Sequence, residues 1–326
     1  MITLSKELIQ EIRALEKKGR IEEGTSLGDL TLGSTHFGAT SRVYHIKDSD
    51  GDYALKLVHP FIVSDCEVGY RRHVLSIEVE RHMYHRFFGI GTNGETDRYF
   101  SSDSEIPKTI VRCYDGYCGS LLFEYFGETP DTSEPFMGKD SIDPVVMVAY
   151  DMLKALHYIH TFTTPDGRDR HIIHRDVKPS NLLISSGSKP FAKLFDFGLA
   201  IFEDSEIRYN FDGTQVYGTL PYQSPEQHRC ESLLTPATDI FSLGATLYEC
   251  LVGKANHPYL NDEGGINWSG IANGKFLPIT DFVDVPKWLC DLVVSMMHDN
   301  PVDRIIAQQG INIVEDNFPA VICDYV

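Results

Sequence analysis

The apolar pattern of this 326-residue chain changes period along its length, and that change limits the folds open to it. Leu30 to Phe37, Arg42 to Lys47 and Tyr53 to Val58 read as a three-strand meander, the last two joined by the turn signal Asp48-Ser-Asp-Gly-Asp52. Val74 to Phe88 then reads as a helix, and strands resume at Thr109 to Tyr114 and Ser120 to Phe126. After a Pro-containing stretch from Gly127 to Pro144 the period is helical, at Val145 to His160, Ala237 to Val252 and Lys287 to His298. A β-rich first third before a helix-rich remainder predicts an α+β chain of two lobes with a crevice between them. Ser5 to Lys18 is a short amphipathic helix closed by Gly19, either packed on the domain or a loose leader. The polar stretch Gly89 to Lys108 and the segment Thr163 to Arg170 read as solvated insertions.

Charge narrows the function classes. With 47 Asp and Glu against 29 Lys and Arg the formal net charge is −18, so a basic face for a nucleic-acid backbone is not expected. At 42% hydrophobic and 23% charged residues, the chain has what a large core needs. Seven dispersed cysteines, none in a CxxC pair, argue against a zinc ribbon or disulfide scaffold and for a reducing, cytoplasmic setting. No run approaches the roughly 18 apolar residues of a membrane span. The pairs His82/His85 and His157/His160 have a spacing that permits shared metal ligation, but solvent-facing or core histidines are the simpler reading.

The most informative stretch is His174-Arg-Asp-Val-Lys-Pro-Ser-Asn181, followed by Phe195-Asp-Phe-Gly198. In form and order the two resemble the catalytic and metal-binding loops of the eukaryotic-type serine/threonine protein kinases. The resemblance covers residues 30 to 318. It implies a helical leader at 1–29, an N-lobe at 30–126, a C-lobe at 127–318 and a tail at 319–326.

Phosphoryl transfer from a nucleotide needs a base, a metal cage and cations for the phosphates. By resemblance Asp176 is the base, Lys178 neutralises the transferring group, and Asn181 and Asp196 offer hard oxygen ligands to Mg²⁺, or to Mn²⁺ in its place. Lys56, ending Tyr53-Ala-Leu-Lys56, would meet the phosphates of ATP. Glu80 is its expected helix partner because Met83, Tyr84 and Phe87 share its face, with Glu78 the runner-up. The phosphate loop departs from the family: anchored on Val43 it reads His36-Phe-Gly38-Ala-Thr-Ser41-Arg-Val43, so His36 and Ser41 stand where glycines would and only Gly38 remains. Leu121-Leu-Phe-Glu-Tyr-Phe126 resembles the adenine hinge, with backbone contacts at Glu124 and Phe126, Phe123 behind the base, and Ala54 and Leu183 sandwiching it.

Downstream, Gly218-Thr-Leu-Pro-Tyr-Gln-Ser-Pro-Glu226 resembles the substrate-facing segment. Glu226 is expected to pair with Arg304, and Asp239 to hold the catalytic loop by its backbone. Lys178 and Thr219 are the residue types of serine/threonine-specific members, so the expected partners are proteins presenting Ser or Thr. Arg175 implies a cationic pocket for a loop phosphate on Thr214 or, next, Tyr217, though a loop carboxylate is an alternative occupant. Two rivals stay open: a nucleotide-binding pseudokinase scaffold, and a small-molecule kinase of related fold.

An acidic body with local positive charge at Lys56, Lys178 and Arg175 predicts a preference for basic residues flanking the phosphoacceptor. Phosphorylation rates are expected to fall with added salt and with loss of those flanking residues. Indifference to both would leave the net charge a role in solubility alone.

Overall fold

The structure, a computed structural model, describes residues 2, 4–19, 21–37, 41–58, 67–88, 107–117, 119–136, 141–163, 171–185, 191–203, 217–229, 234–257, 259 and 276–319; in the helix at 67–88 the side chains of 76–87 are described. Gly38, Thr214, Cys118 and nearly all of the stretch 89–108 lie outside the described residues. The chain forms two units: Met1–Ile106, Val111–Phe126 and Asp196–Gly198 make the first, and Pro107–Ile110, Gly127–Phe195 and Leu199–Val326 the second. This sheet-rich and helix-rich division is the α+β class expected from the change in apolar period.

The first unit is built on a six-stranded antiparallel sheet, β1 (Thr25–Leu27), β2 (Leu30–Phe37), β3 (Ser41–Lys47), β4 (Asp52–Val58), β5 (Cys113–Tyr117) and β6 (Ser120–Glu124), in the order β1-β2-β3-β4-β6-β5. The turn expected at 48–52 forms, with the Asp48 carboxylate accepting from the amides of Asp50 and Gly51 at 2.7 and 2.9 Å. The fifth strand lies later than its sequence pattern suggests. Gly119, at φ +75°, reverses the chain beside the Tyr117–Ser120 pair, which fixes β5 as Cys113–Tyr117. Thr109 and Ile110 instead belong to the second unit, where the Thr109 carbonyl accepts from the Leu194 amide at 2.8 Å.

Alternation along the strands gives the sheet two faces. Val43 lies opposite Lys56, Lys56 opposite Leu121, and Ala54 opposite Phe123, so these side chains share one face. On that side the helix α2 (Glu67–Phe88) buries Met83, Tyr84 and Phe87. It starts earlier than Val74, because Gly69 and Arg71-Arg-His73 give no apolar stripe from which periodicity would read a helix. On the other face Tyr44, Ile46, Leu55, Leu57 and Leu122 join Leu32 in a core with Ile9 and Ile12 of α1 (Lys6–Lys17). That helix starts at an N-cap, the Ser5 hydroxyl accepting from the Leu8 amide at 3.1 Å. Of the two readings left open for this helix, packing on the sheet is the one the structure takes.

The second unit centres on α3 (Asp143–Thr161) and α5 (Ala237–Val252), with the single turn α4 (Pro225–His228) before α5 and α6 (Lys287–Met296) and α7 (Ala307–Asn317) after it. Every residue of α5 from Thr238 to Val252 is buried, the state expected of a helix apolar on all sides. Helix α7 is absent from the sequence reading because its polar run Gln308-Gln-Gly310 hides a sparse stripe of Ala307, Ile311 and Val314. Gly310 lets α7 close on α3: a Cβ there would stand 2.7 Å from a Leu153 methyl. Two small ribbons complete the unit, β7 (Ile172–Ile173) with β10 (Ile201–Phe202), and β8 (Leu182–Ile184) with β9 (Ala192–Leu194).

Glu226 on α4 and Arg304 are both buried and form a two-pronged ion pair at 2.6 and 2.8 Å. The guanidinium also donates to the carbonyls of His298, Ala237 and Asp299 and lies 5.0 Å from the Phe241 ring centroid, so its whole donor fork is used. Burial works against the Glu226 carboxylate, but Arg304 outweighs it and holds the pKa below its ordinary value. Removing either partner strands a buried charge. Glu226→Gln and Arg304→Met are each expected to cost the second unit about 3–5 kcal/mol, read as a lower urea midpoint, and the joint change Glu226→Leu with Arg304→Met to cost less than the two singles summed.

Candidate active site

In the first unit, β4 carries Lys56 to a carboxylate pair. Its Nζ lies 2.7 Å from Glu80 Oε2 on α2 and 3.1 Å from Asp196 Oδ1. Burial opposes the ammonium, yet Asp196 and Glu80 together more than compensate, and the Lys56 pKa stands above its ordinary value. Burial is also the larger influence on Glu80, whose carboxyl is pushed up to about 7 against the pull of Lys56. Two carboxylates serve Lys56, and one of them, Asp196, is a third exposed to water. Glu78 points elsewhere and pairs with Arg81 at 2.6 Å.

Asp196 sits at φ +65°, an unusual conformation for a residue with a side chain. The next residue, Phe197, is wedged edge-on against Tyr84 and Phe87 with ring centroids 5.4 and 5.1 Å away. The Gly198 amide donates to Asp196 Oδ1 at 3.3 Å, and a Cβ on Gly198 would collide with the Ser76 hydroxyl. Among the residues given to adenine, Phe123 packs on Tyr84 at 5.1 Å and pairs across the ladder with Ala54, and the Glu124 amide donates to the Arg112 carbonyl. Phe126 is half-buried at the end of this unit's chain. His36 and Ser41 are ladder residues, opposite Val43 and Val58.

In the second unit, the loop after β7 is held from below by Asp239 in the first turn of α5. Its two oxygens accept from the consecutive amides of His174 and Arg175, both at 2.8 Å, and one also meets His160 Nε2 at 2.9 Å. Arg175 takes φ +67°, and the His174 ring bridges the Phe195 carbonyl and the Asp176 amide. The Asp176 carboxylate then meets Lys178 Nζ at 2.8 Å and the Thr219 hydroxyl at 2.8 Å, while Lys178 donates to that hydroxyl at 2.6 Å. Asn181 Nδ2 donates to the carbonyl of Asp176 at 2.7 Å and to its carboxylate at 3.1 Å, which leaves the amide oxygen for a hard cation. Leu183 lies on β8 opposite Lys193.

Thr219, read from the sequence as a residue type of serine/threonine-specific members, stands in this Asp176–Lys178 cluster. Arg175 does meet Tyr217, its guanidinium 5.0 Å from the ring centroid, and Nε donates to the Leu199 carbonyl. Burial lowers the Arg175 pKa to about 10. Gln227 ties the two strands of chain together by donating to the carbonyls of Arg175 and Tyr217. His160 and Gln227 escape sequence reasoning because their partners lie 79 and 52 positions away. Among the described residues, no group of three or more His, Cys, Asp and Glu side chains forms a metal cluster, and no helix is long and apolar enough to cross a membrane.

The sequence itself matches a model of the protein kinase domain over residues 117–314. Tyrosine-protein kinase MasK of Myxococcus xanthus is 33% identical over 193 residues, covering 57% of this chain and 29% of that protein. Mitogen-activated protein kinase kinase 1 of Arabidopsis thaliana is 34% identical over 170 residues, 50% of this chain and 43% of the relative. Serine/threonine-protein kinase PknB of Mycolicibacterium smegmatis is 28% identical over 195 residues, 54% and 29% of the two chains. The chain thus spans less than half the length of each of these relatives. A family whose members use ATP with a divalent metal is matched across more than half of the sequence, and the chain belongs to it: it is a member of the protein kinase domain family.

Proposed function

We propose that this protein is a serine/threonine protein kinase, transferring the γ-phosphoryl group of Mg·ATP to hydroxyls of protein substrates. The observation that carries the reading is the Asp176, Lys178 and Thr219 cluster, with Asn181 tied back onto Asp176. Asp176 orients the acceptor hydroxyl and takes its proton, and Lys178 offsets the negative charge of the group in transfer. Lys56 holds the nucleotide phosphates and is itself held by Glu80, while Asn181 and Asp196 supply the oxygens that a divalent cation takes. When bound, the cation neutralises the phosphate charge that otherwise repels a nucleophile. Thr219, hydrogen-bonded to both Asp176 and Lys178, favours a short aliphatic acceptor, although one relative bears the name tyrosine-protein kinase. A cytoplasmic setting agrees with the scattered cysteines, of which Cys113 and Cys250 are free and buried.

The second reading, a nucleotide-binding scaffold that transfers nothing, is favoured by the loss of glycine at His36 and Ser41. Labelled ATP separates the two. Wild-type protein is expected to phosphorylate a generic basic protein on Ser and Thr, and Asp176→Asn to lower turnover about 10²- to 10⁴-fold, the usual weight of a positioned base. A silent wild type that still binds ATP supports the scaffold, and label on tyrosine alone overturns the acceptor assignment.

Autophosphorylation of the segment before Gly218 belongs to the same reading, with Thr214 the first candidate and Tyr217 the second. Arg175, a half-buried guanidinium 5.0 Å from the Tyr217 ring centroid, supports it because an added phosphate there would gain a cationic partner. Intact-mass measurement of active protein is expected to show added phosphate that peptide mapping places at Thr214; fully active protein without phosphate excludes the modification.

A further inference from the structure

The face of the sheet turned away from Lys56 carries a polar contact that phosphotransfer does not use. Helix α1 covers this face with Ile9 and Ile12, and Ile2 and Leu4 extend the same core. The Leu4 amide donates to Asp115 Oδ2 on β5 at 2.7 Å, so the chain before the helix is also fastened. In the middle of this apolar contact stands Glu16, whose side chain is 1% exposed. Its Oε1 accepts from the Tyr44 hydroxyl and from Arg42 Nη1 at 3.1 Å, both on β3, while its Oε2 is buried with no hydrogen bond among the described residues. Burial and the bond to Glu16 both raise the pKa of the Tyr44 phenol, keeping it a donor.

A buried carboxylate with one oxygen unserved is a costly way to hold a helix, since apolar packing alone would do it. What the carboxylate adds is position. Arg42 and Tyr44 flank Val43, which points to the opposite face beside Lys56 and ends the stretch read as the phosphate loop. Because alternate residues of one strand face opposite ways, fixing Arg42 and Tyr44 from behind fixes Val43 in front.

We infer that Glu16 is a positioning residue for nucleotide binding: through Arg42 and Tyr44 it clamps β3, so that α1 sets the affinity for ATP. The inference rests on the phosphotransfer reading for its ligand. Held this way, Val43 lies opposite Lys56 in the ladder, and α1 supplies the support.

The test uses the whole chain with Glu16→Ala, Glu16→Gln and, from the other side, Tyr44→Phe. Hydrogen exchange without nucleotide is expected to speed up about tenfold at Ser41–Lys47 in Glu16→Ala, with β5 and β6 unchanged. Fluorescence titration with a Mg²⁺-loaded ATP analogue is expected to show affinity weakened about five- to tenfold, the factor matching one lost hydrogen bond of ordinary strength. KM for ATP should rise by the same factor while kcat stays within about twofold, since the Asp176 cluster is untouched. Glu16→Gln and Tyr44→Phe, each keeping part of the clamp and the fold, should fall between. Folded variants with wild-type exchange and affinity overturn the inference, as does a kcat that drops along with affinity. Wild-type protein that binds no nucleotide overturns the phosphotransfer reading and the nucleotide half of this one, and the exchange rates alone then decide whether Glu16 holds the strand.

Discussion

Two consecutive backbone amides, those of His174 and Arg175, point at one buried carboxylate, and the geometry of the second unit's chemistry depends on it. Without Asp239 the left-handed Arg175 would have to be held by its neighbours alone, and nothing would fix the direction in which Asp176 leaves the loop. Asp239 is itself unable to move, because it lies in a helix with no exposed face and shares an oxygen with His160 of α3. The rigid element therefore positions backbone, the backbone positions Asp176, and only then do Lys178, Thr219 and Asn181 find their partners.

The first unit solves a related problem with side chains. Lys56 is a buried cation whose two countercharges come from a helix and from a residue in a strained conformation, Glu80 and Asp196. The aromatic stack of Phe123, Tyr84, Phe87 and Phe197 lies on the same side of the sheet, and Lys56 and Glu80 are buried there while Asp196 stays a third exposed. Low dielectric makes each missing partner expensive, so the lysine, the glutamate and the aspartate act as one group rather than three.

Legibility in the sequence followed contiguity. The loop around Asp176 and the turn around Asp196 are read directly because each is a short run whose residue types have a shared chemical reason. Helical period separates Glu80 from Glu78, and strand period puts Val43 and Lys56 on one face. Contacts closed by the tertiary fold left little trace outside the family resemblance, which alone assigned Asp239 to the loop backbone and Glu226 to Arg304. His160 looks like an ordinary helix residue, and Glu16 looks like part of a solvated charged run, since nothing local says that a sheet will bury it. Helix α7 went unread for a similar reason, its apolar stripe being too thin until α3 supplies the other half.

The two departures in the phosphate loop also look different once the strands are drawn. His36 and Ser41 are paired residues within β2 and β3, opposite Val43 and Val58. Glycine at either place would remove a side chain from a strand interior and loosen the ladder. At these two positions the sequence has exchanged backbone freedom for paired strand residues. Selection on such a loop would act through strand length and pairing, so an inserted or deleted residue, which turns every later side chain to the wrong face, would be a heavier lesion than most substitutions.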